Sequence, residues 1–202
     1  ITIVLSLILS IFSFSAFAKG KLTLYCSVEI DVCEMLVQAF EKETGINVAM
    51  TRKSSGETFA QIKAEGSNPK GDVWFGGTGD PHLTASQEGL TQEYKSKHFD
   101  DLLPAAQQQA INGNYRTVGI YVGALGYGYN HELIASKGLP EPTSWEDLTN
   151  PVYKGEIQVA NPNSSGTAYT TLATILQIFG EEKGWDYMKK LHQNINQYTK
   201  SG

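Results

Sequence analysis

Strand-like and helix-like segments alternate three times between residues 21 and 89, and this alternation constrains the fold more than any other feature. Each strand-like segment is short and rich in branched or aromatic residues, and apolar residues at helical spacing follow it. Alternating strands and helices form parallel sheets covered by helices, so we predict an α/β fold. The predicted strands are residues 21–26, 46–51 and 72–75, and the predicted helices span 31–44, 56–65 and 80–89.

Two of these helices begin with the spacing of a capping box, in which a polar residue precedes an acidic one by three positions. The pairs are Asp31 with Glu34, and Ser54 with Glu57. We therefore predict that both pairs cap the helices that they begin.

The second half of the chain predicts a second α/β unit. Residues 117–122 and 125–130 resemble strands, and the glycines around them suggest a crossover between lobes. A strand at residues 156–160 then precedes amphipathic helices at 165–179 and 182–192. The predicted divisions are residues 19–124 for the first lobe, 125–130 for the crossover strand and hinge, and 131–202 for the start of the second lobe.

One or two strands are too few for an independent sheet beneath two helices. We therefore expect this chain to be part of a longer two-lobed protein whose second lobe is incomplete here. On this interpretation residues 19–202 alone are unstable, and the helix face with Leu172, Ile175 and Phe179 is exposed.

Residues 1–18 form an apolar run that ends in Ala16-Phe17-Ala18. An apolar segment before an A-x-A site is typical of a secretory signal peptide, and a membrane span needs roughly 20 apolar residues. The basic segment that opens such a leader is absent, so we expect the sequence to begin within it. We predict cleavage after Ala18 and a periplasmic location; a transmembrane anchor is the alternative.

The two cysteines, Cys26 and Cys33, fit an oxidising compartment. An isolated pair in an exported protein indicates a disulfide first, and C-x6-C without a nearby histidine is not a zinc spacing. Two free buried thiols are the alternative. The net charge of −5 gives no basic surface for nucleic acid, so no nucleic-acid partner is predicted.

The turns that follow the predicted strands consist of small and hydroxylic residues. In open parallel sheets, ligands bind at the carboxyl ends of the strands, where helices begin. Glycines there let backbone N–H groups approach a ligand, and hydroxyls add donors, which is the chemistry of anion binding. Helix capping alone is the alternative explanation. The candidate ligand-binding residues are Ser27, Ser54, Ser55, Gly56, Gly77, Thr78, Ser164, Ser165, Gly166 and Thr167.

No catalytic, cofactor or metal motif accompanies these turns. The nucleotide-binding and hydrolase signatures are missing, and the histidines lack the spacing of metal ligands. We therefore predict neither an enzyme nor a cofactor. The histidines, each expected at the surface or a helix end, are His82, His98, His131 and His192.

Several motifs resemble the type II periplasmic solute-binding proteins of ABC importers. The resemblance covers residues 21–202 and is strongest to the iron(III)-binding-protein-like branch, in particular to its hexose-phosphate-binding subgroup. The motifs are YCS, RKSSG, DVWFGGTGDP, SWEDLTNPVYKGEIQVANPNSSGTAY and QYTKSG.

The resemblance implies two α/β lobes that close around a ligand, in a protein longer than this chain. It places Ser27, Ser55, Thr78 and residues 165–167 at cleft positions of the subgroup. Ferric-ion binders carry a His in the first loop and a Glu in the third, whereas this chain has Ser27-Val28-Glu29 and Gly77-Thr78.

The function so implied is capture of a small anionic solute for import, by a monomer that delivers it to a membrane permease and its ATPase. A phosphorylated sugar or another organophosphate is the expected ligand. A ferric-ion carrier and an enzyme on the same two-lobed fold are the alternatives.

Overall fold

The structure is a computed structural model that describes residues 20–201. The predicted leader and its cleavage site lie outside the described residues. Two parallel sheets organise the chain. The first unit, residues 20–112, has β1 (Lys21–Cys26), β2 (Asn47–Arg52) and β3 (Val73–Phe75) in the order β2-β1-β3. The second unit, residues 131–201, pairs β4 (Ile157–Ala160) with β5 (Ile195–Thr199). The α/β class is therefore confirmed. The lobe boundaries stay a prediction.

The first unit follows the alternation of strands and helices. Cys26 at the end of β1 is in register with Arg52 of β2 and with Phe75 of β3. The turns after all three strands therefore start at the same edge of the sheet. The elements are β1 (Lys21–Cys26), α1 (Ile30–Thr44), β2 (Asn47–Arg52), α2 (Ser55–Glu65), β3 (Val73–Phe75), α3 (Gly79–Gln87) and α4 (Pro104–Asn112).

The second unit is built around a small apolar core. Ile175, Tyr187 and Leu191 are buried there, and Trp145 and Phe179 pack against them. The strand β5 and the short helix α5 were not predicted, because β5 holds mostly polar residues and α5 is too short to show a period. The elements are α5 (His131–Ser136), β4 (Ile157–Ala160), α6 (Gly166–Phe179), α7 (Glu181–Asn194) and β5 (Ile195–Thr199).

Residues 117–122 and 125–130 were wrongly predicted to be strands. Neither segment pairs with a strand within residues 20–201, and Val122 is 80% exposed. The alternation of apolar residues is present, but a strand also needs a neighbour that accepts and donates its backbone hydrogen bonds. The two segments therefore belong to neither sheet of the described residues.

One of the two predicted capping boxes is present. Glu57 accepts hydrogen bonds from the hydroxyl of Ser54 at 2.8 Å and from its N–H at 3.3 Å. The capping box predicted for Asp31 and Glu34 is wrong. The helix α1 begins at Ile30, with Glu29 at the capping position, so Asp31 lies inside the first turn. Proximity to the positive helix end still favours the Asp31 carboxylate there.

The predicted disulfide is present and joins Cys26 at the end of β1 to Cys33 in α1. Both sulfur-bearing side chains are fully buried. The bond therefore holds the first turn, residues 27–29, between the sheet and α1. Across residues 20–201, every helix is too short or too polar to cross a membrane.

Candidate ligand-binding site

The turns after β2 and β4 meet directly and so join the two units. The Ser164 carbonyl oxygen lies 2.7 Å from Ser54 Oγ and shares the single Ser54 hydroxyl proton with Glu57. Gly56 N–H donates to the same carbonyl oxygen at 3.0 Å. A β-carbon at Gly56 would lie 2.6 Å from the Asn163 carbonyl, so only glycine fits at this contact. The structure thus brings candidate residues of both units together.

The turn after β3 lies at the same point. A β-carbon at Gly166 would overlap Thr78 Oγ1 and lie 2.8 Å from Ser55 Oγ. A β-carbon at Gly77 would overlap Ser55 Oγ and lie 3.1 Å from Ser27 Cβ. The backbone of Gly77 also favours glycine, because its φ is +89°. Ser27, Ser55, Gly77, Thr78 and Gly166 therefore form one cluster, which we call the turn cluster.

Three helices point their N-termini at the turn cluster. The helix α2 begins at Ser55, α3 at Gly79 and α6 at Gly166. The first N–H groups of a helix lack partners within it, and the helix dipole places partial positive charge there. This arrangement favours a negatively charged ligand group.

Thr78 has the least satisfied side chain of the turn cluster. Its hydroxyl oxygen is buried and has no hydrogen-bond partner within residues 20–201. Its backbone N–H, by contrast, donates to Ser55 Oγ at 3.2 Å. A buried hydroxyl without a partner costs about 1–3 kcal/mol, so a ligand oxygen at this position would recover free energy.

Three other candidate residues use their side chains within the protein. Ser54 takes part in its capping box, and Ser165 accepts a hydrogen bond from Ala168 N–H at 3.3 Å as the cap of α6. Ser164 donates to the Lys200 carbonyl at 2.7 Å. For these residues the structure supports the capping and packing role. Thr167 is exposed in the first turn of α6.

Ser27 is held by two residues that the turn pattern does not predict to be near the site. Trp74 Nε1 donates to Ser27 Oγ at 2.9 Å, and the hydroxyl oxygens of Ser27 and Thr58 are 3.1 Å apart. Thr58 is a polar residue on the buried face of α2. A polar residue on the apolar face of a predicted helix is the sequence feature by which it could have been found.

His82 and Tyr121 support the turn after β3. His82 lies in the first turn of α3, at a helix end as expected. Its ring stacks on Trp74 at 3.7 Å and donates through Nε2 to the Gly76 carbonyl at 2.8 Å. Burial lowers the pKa of His82, although the bond to Gly76 opposes this effect, so the ring is neutral at pH 7. The Tyr121 hydroxyl accepts from Gly77 N–H at 2.7 Å and donates to its carbonyl at 2.9 Å.

No group of three or more His, Cys, Asp or Glu side chains within residues 20–201 is placed to hold a metal ion. The turn cluster presents hydroxyls and backbone N–H groups, which are donors suited to oxyanions.

Comparisons with known proteins agree with the fold. The bacterial extracellular solute-binding protein family matches residues 75–202. An uncharacterized protein of Haemophilus influenzae is 47% identical over 189 residues, which is 93% of this chain and 55% of that protein.

Two solved structures are similar throughout the chain. The periplasmic binding protein AfuA from Actinobacillus pleuropneumoniae, solved with exogenous fructose-6-phosphate bound, has a TM-score of 0.87 and 45% identity, over 92% of this chain and 58% of that one. The periplasmic binding protein P5PA has a TM-score of 0.86 and 43% identity, over 90% of this chain and 58% of that one. The chain thus spans little more than half the length of these relatives, and it belongs to the bacterial extracellular solute-binding protein family.

Proposed function

We propose that this chain is part of the periplasmic substrate-binding component of an ABC importer and that its turn cluster binds a small phosphorylated solute, a sugar phosphate. The protein would act as a monomer and deliver the solute to a membrane permease coupled to an ATPase. Its relatives are solute-binding proteins, which supports a transport role rather than catalysis.

The observation that carries this proposal is the convergence of three helix N-termini on the buried hydroxyl of Thr78, which has no hydrogen-bond partner in the part of the chain that the structure describes. Micromolar affinity requires about 8 kcal/mol. A helix N-terminus contributes about 0.3–1 kcal/mol toward an anion, or up to about 2 when partly buried. Hydrogen bonds to a charged group add about 1.5–3 kcal/mol each, so a few such bonds reach the required range.

The similarity to AfuA supports a phosphorylated sugar in particular. That protein was solved with fructose-6-phosphate and is 45% identical to this chain over the 58% of its length that this chain covers. A ferric-ion carrier, the alternative, would need anionic oxygen ligands, whereas the turn cluster supplies neutral hydroxyls and N–H donors.

Calorimetric titration of the complete protein, freed of co-purified ligand, tests the proposal. We expect glucose 6-phosphate to bind at least tenfold more tightly than free glucose. An aminoalkylphosphonate and chelated ferric iron are the comparison ligands. Tight ferric binding with no response to either phosphorus compound would contradict the proposal and favour the metal carrier.

A substitution at Thr78 separates binding from folding. Thr78→Val removes the hydroxyl while keeping the shape, so we expect at least a tenfold loss of glucose 6-phosphate affinity, equal to ~1.4 kcal/mol. Because the hydroxyl has no partner within residues 20–201, the melting temperature without ligand should stay equal or rise. Thr78→Ser keeps the hydroxyl and is the matched control, with affinity near that of the wild type.

A further inference from the structure

We infer that Thr58 and Trp74 are positioning residues that fix the Ser27 hydroxyl as a hydrogen-bond donor, so that this position of the site accepts only a ligand group that can receive a hydrogen bond. The inference rests on the proposed function, because it concerns how the same site selects its ligand.

The first step is the bond from Trp74. An indole N–H can donate but cannot accept, so its 2.9 Å contact occupies one lone pair of Ser27 Oγ. The Trp74 ring is held in place by His82, which stacks against it at 3.7 Å. The donor to Ser27 is therefore fixed in direction.

The second step is the direction of the bond between Ser27 and Thr58. Thr58 is 0% exposed. Within residues 20–201, the one hydrogen-bond partner of its hydroxyl is Ser27 Oγ, at 3.1 Å. If Ser27 donated to Thr58, the Thr58 proton would be buried without an acceptor, which costs free energy. In the opposite direction it is the Ser27 proton that lacks an acceptor within residues 20–201, but Ser27 is 9% exposed, so its proton can reach solvent or a ligand. The favoured direction is therefore from Thr58 to Ser27.

The third step follows from the capacity of a hydroxyl group. A serine oxygen has two lone pairs and one proton, and the donors from Trp74 and Thr58 fill both lone pairs. The Ser27 proton is then left to donate, beside Gly77 and Ser55 in the turn cluster. The two incoming bonds polarise the hydroxyl and make it a stronger donor.

This arrangement discriminates between ligand classes. A phosphate or sugar oxygen accepts from Ser27, whereas a metal ion would need a lone pair that Ser27 no longer has. A donor-only serine therefore favours an oxyanion and disfavours a cation at this position.

A double-mutant cycle on the complete protein tests whether Thr58 acts through Ser27. We expect Thr58→Val to weaken glucose 6-phosphate binding three- to tenfold in the wild-type background and to have no effect on affinity in a Ser27→Ala background. Thr58→Ser, which keeps the hydroxyl, should bind like the wild type. Equal losses in both backgrounds, or no loss in either, would overturn the inference.

A melting experiment without ligand tests the same network independently of the proposed function. Ser27→Ala leaves the buried Thr58 donor without an acceptor, so we expect a lower melting temperature than the wild type. Adding Thr58→Val removes that donor and should recover part of the loss. A melting temperature of the double variant below that of Ser27→Ala would overturn the inference. If the double variant does recover stability but the wild-type protein does not bind glucose 6-phosphate, the inference stands and only the proposed function is contradicted.

Discussion

The helix α1 of the first unit and the helix α6 of the second unit have similar apolar patterns but opposite surroundings. On α1 the apolar residues are exposed, with Met35 at 60%, and Cys33 is buried. On α6, Ile175 is fully buried against α7. The expectation that the face with Leu172, Ile175 and Phe179 is exposed is therefore wrong.

The reason lies in which elements follow each helix along the chain. The helix α7 comes directly after α6 and supplies Tyr187 and Leu191 to the same core, and Phe179 stacks on Tyr187 at 5.1 Å. The helix α1 packs through Cys33 beside the sheet, while its outer stripe meets no comparable partner within residues 20–201. Periodicity predicts which residues share a face, and the neighbouring elements decide whether that face is covered.

The largest expected effect is on the core of the second unit. Ile175→Ala should lower the free energy of unfolding by about 2–5 kcal/mol, because it removes fully buried methyl groups and leaves a cavity. Met35→Ala on α1 is the matched control and should change it by less than about 0.5 kcal/mol. Urea denaturation measures both. A loss at Met35 as large as that at Ile175 would show that the face of α1 is covered in solution.

The next effect concerns the first unit, whose first turn is held by the Cys26–Cys33 bond. Reduction should lower the stability of this unit by about 2–3 kcal/mol, because the bond closes a short loop in the unfolded chain. Hydrogen exchange of the backbone amides of β1 and β2, measured with and without reductant, reports this loss. Intact-mass measurement after alkylation without reductant should find no free thiol; two alkylated cysteines would contradict the disulfide.

The smallest effect is at the ion pair that joins the units, Glu57 with Lys200 at 2.7 Å. Burial alone would raise the pKa of Glu57, but hydrogen bonds from Lys200 and Ser54 outweigh it and hold that pKa below its usual range. The stabilisation is therefore present above the unfolded pKa, about 4.3, and is lost as the pH falls through the lower folded value.

Lys200→Met should raise the pKa of Glu57 and change the stability at neutral pH by less than about 1 kcal/mol, since Lys200 is largely exposed. Carboxyl-carbon NMR titration follows Glu57 directly. An unchanged Glu57 pKa in this variant would show that the ion pair does not form in solution.

The parts of the molecule that local chemistry determines could be predicted from the sequence. The alternation predicted the order of strands and helices from β1 to α3, and the small residues after the strands were placed at one sheet edge. The helix α4 was not predicted, because its segment is polar and poorly periodic. Contacts between distant segments could not be predicted in this way. Thr58 reaches Ser27 because α2 packs beside the end of β1. The segment at 117–122 is not a strand because none of the strands described between residues 20 and 201 pairs with it.

A crystal structure of the complete protein with glucose 6-phosphate bound tests the central claim most directly. The account predicts phosphate oxygens within hydrogen-bond distance of Thr78 Oγ1 and of first-turn N–H groups of α2, α3 or α6. A phosphate held away from the turn cluster, with Thr78 Oγ1 still unpartnered, would contradict it.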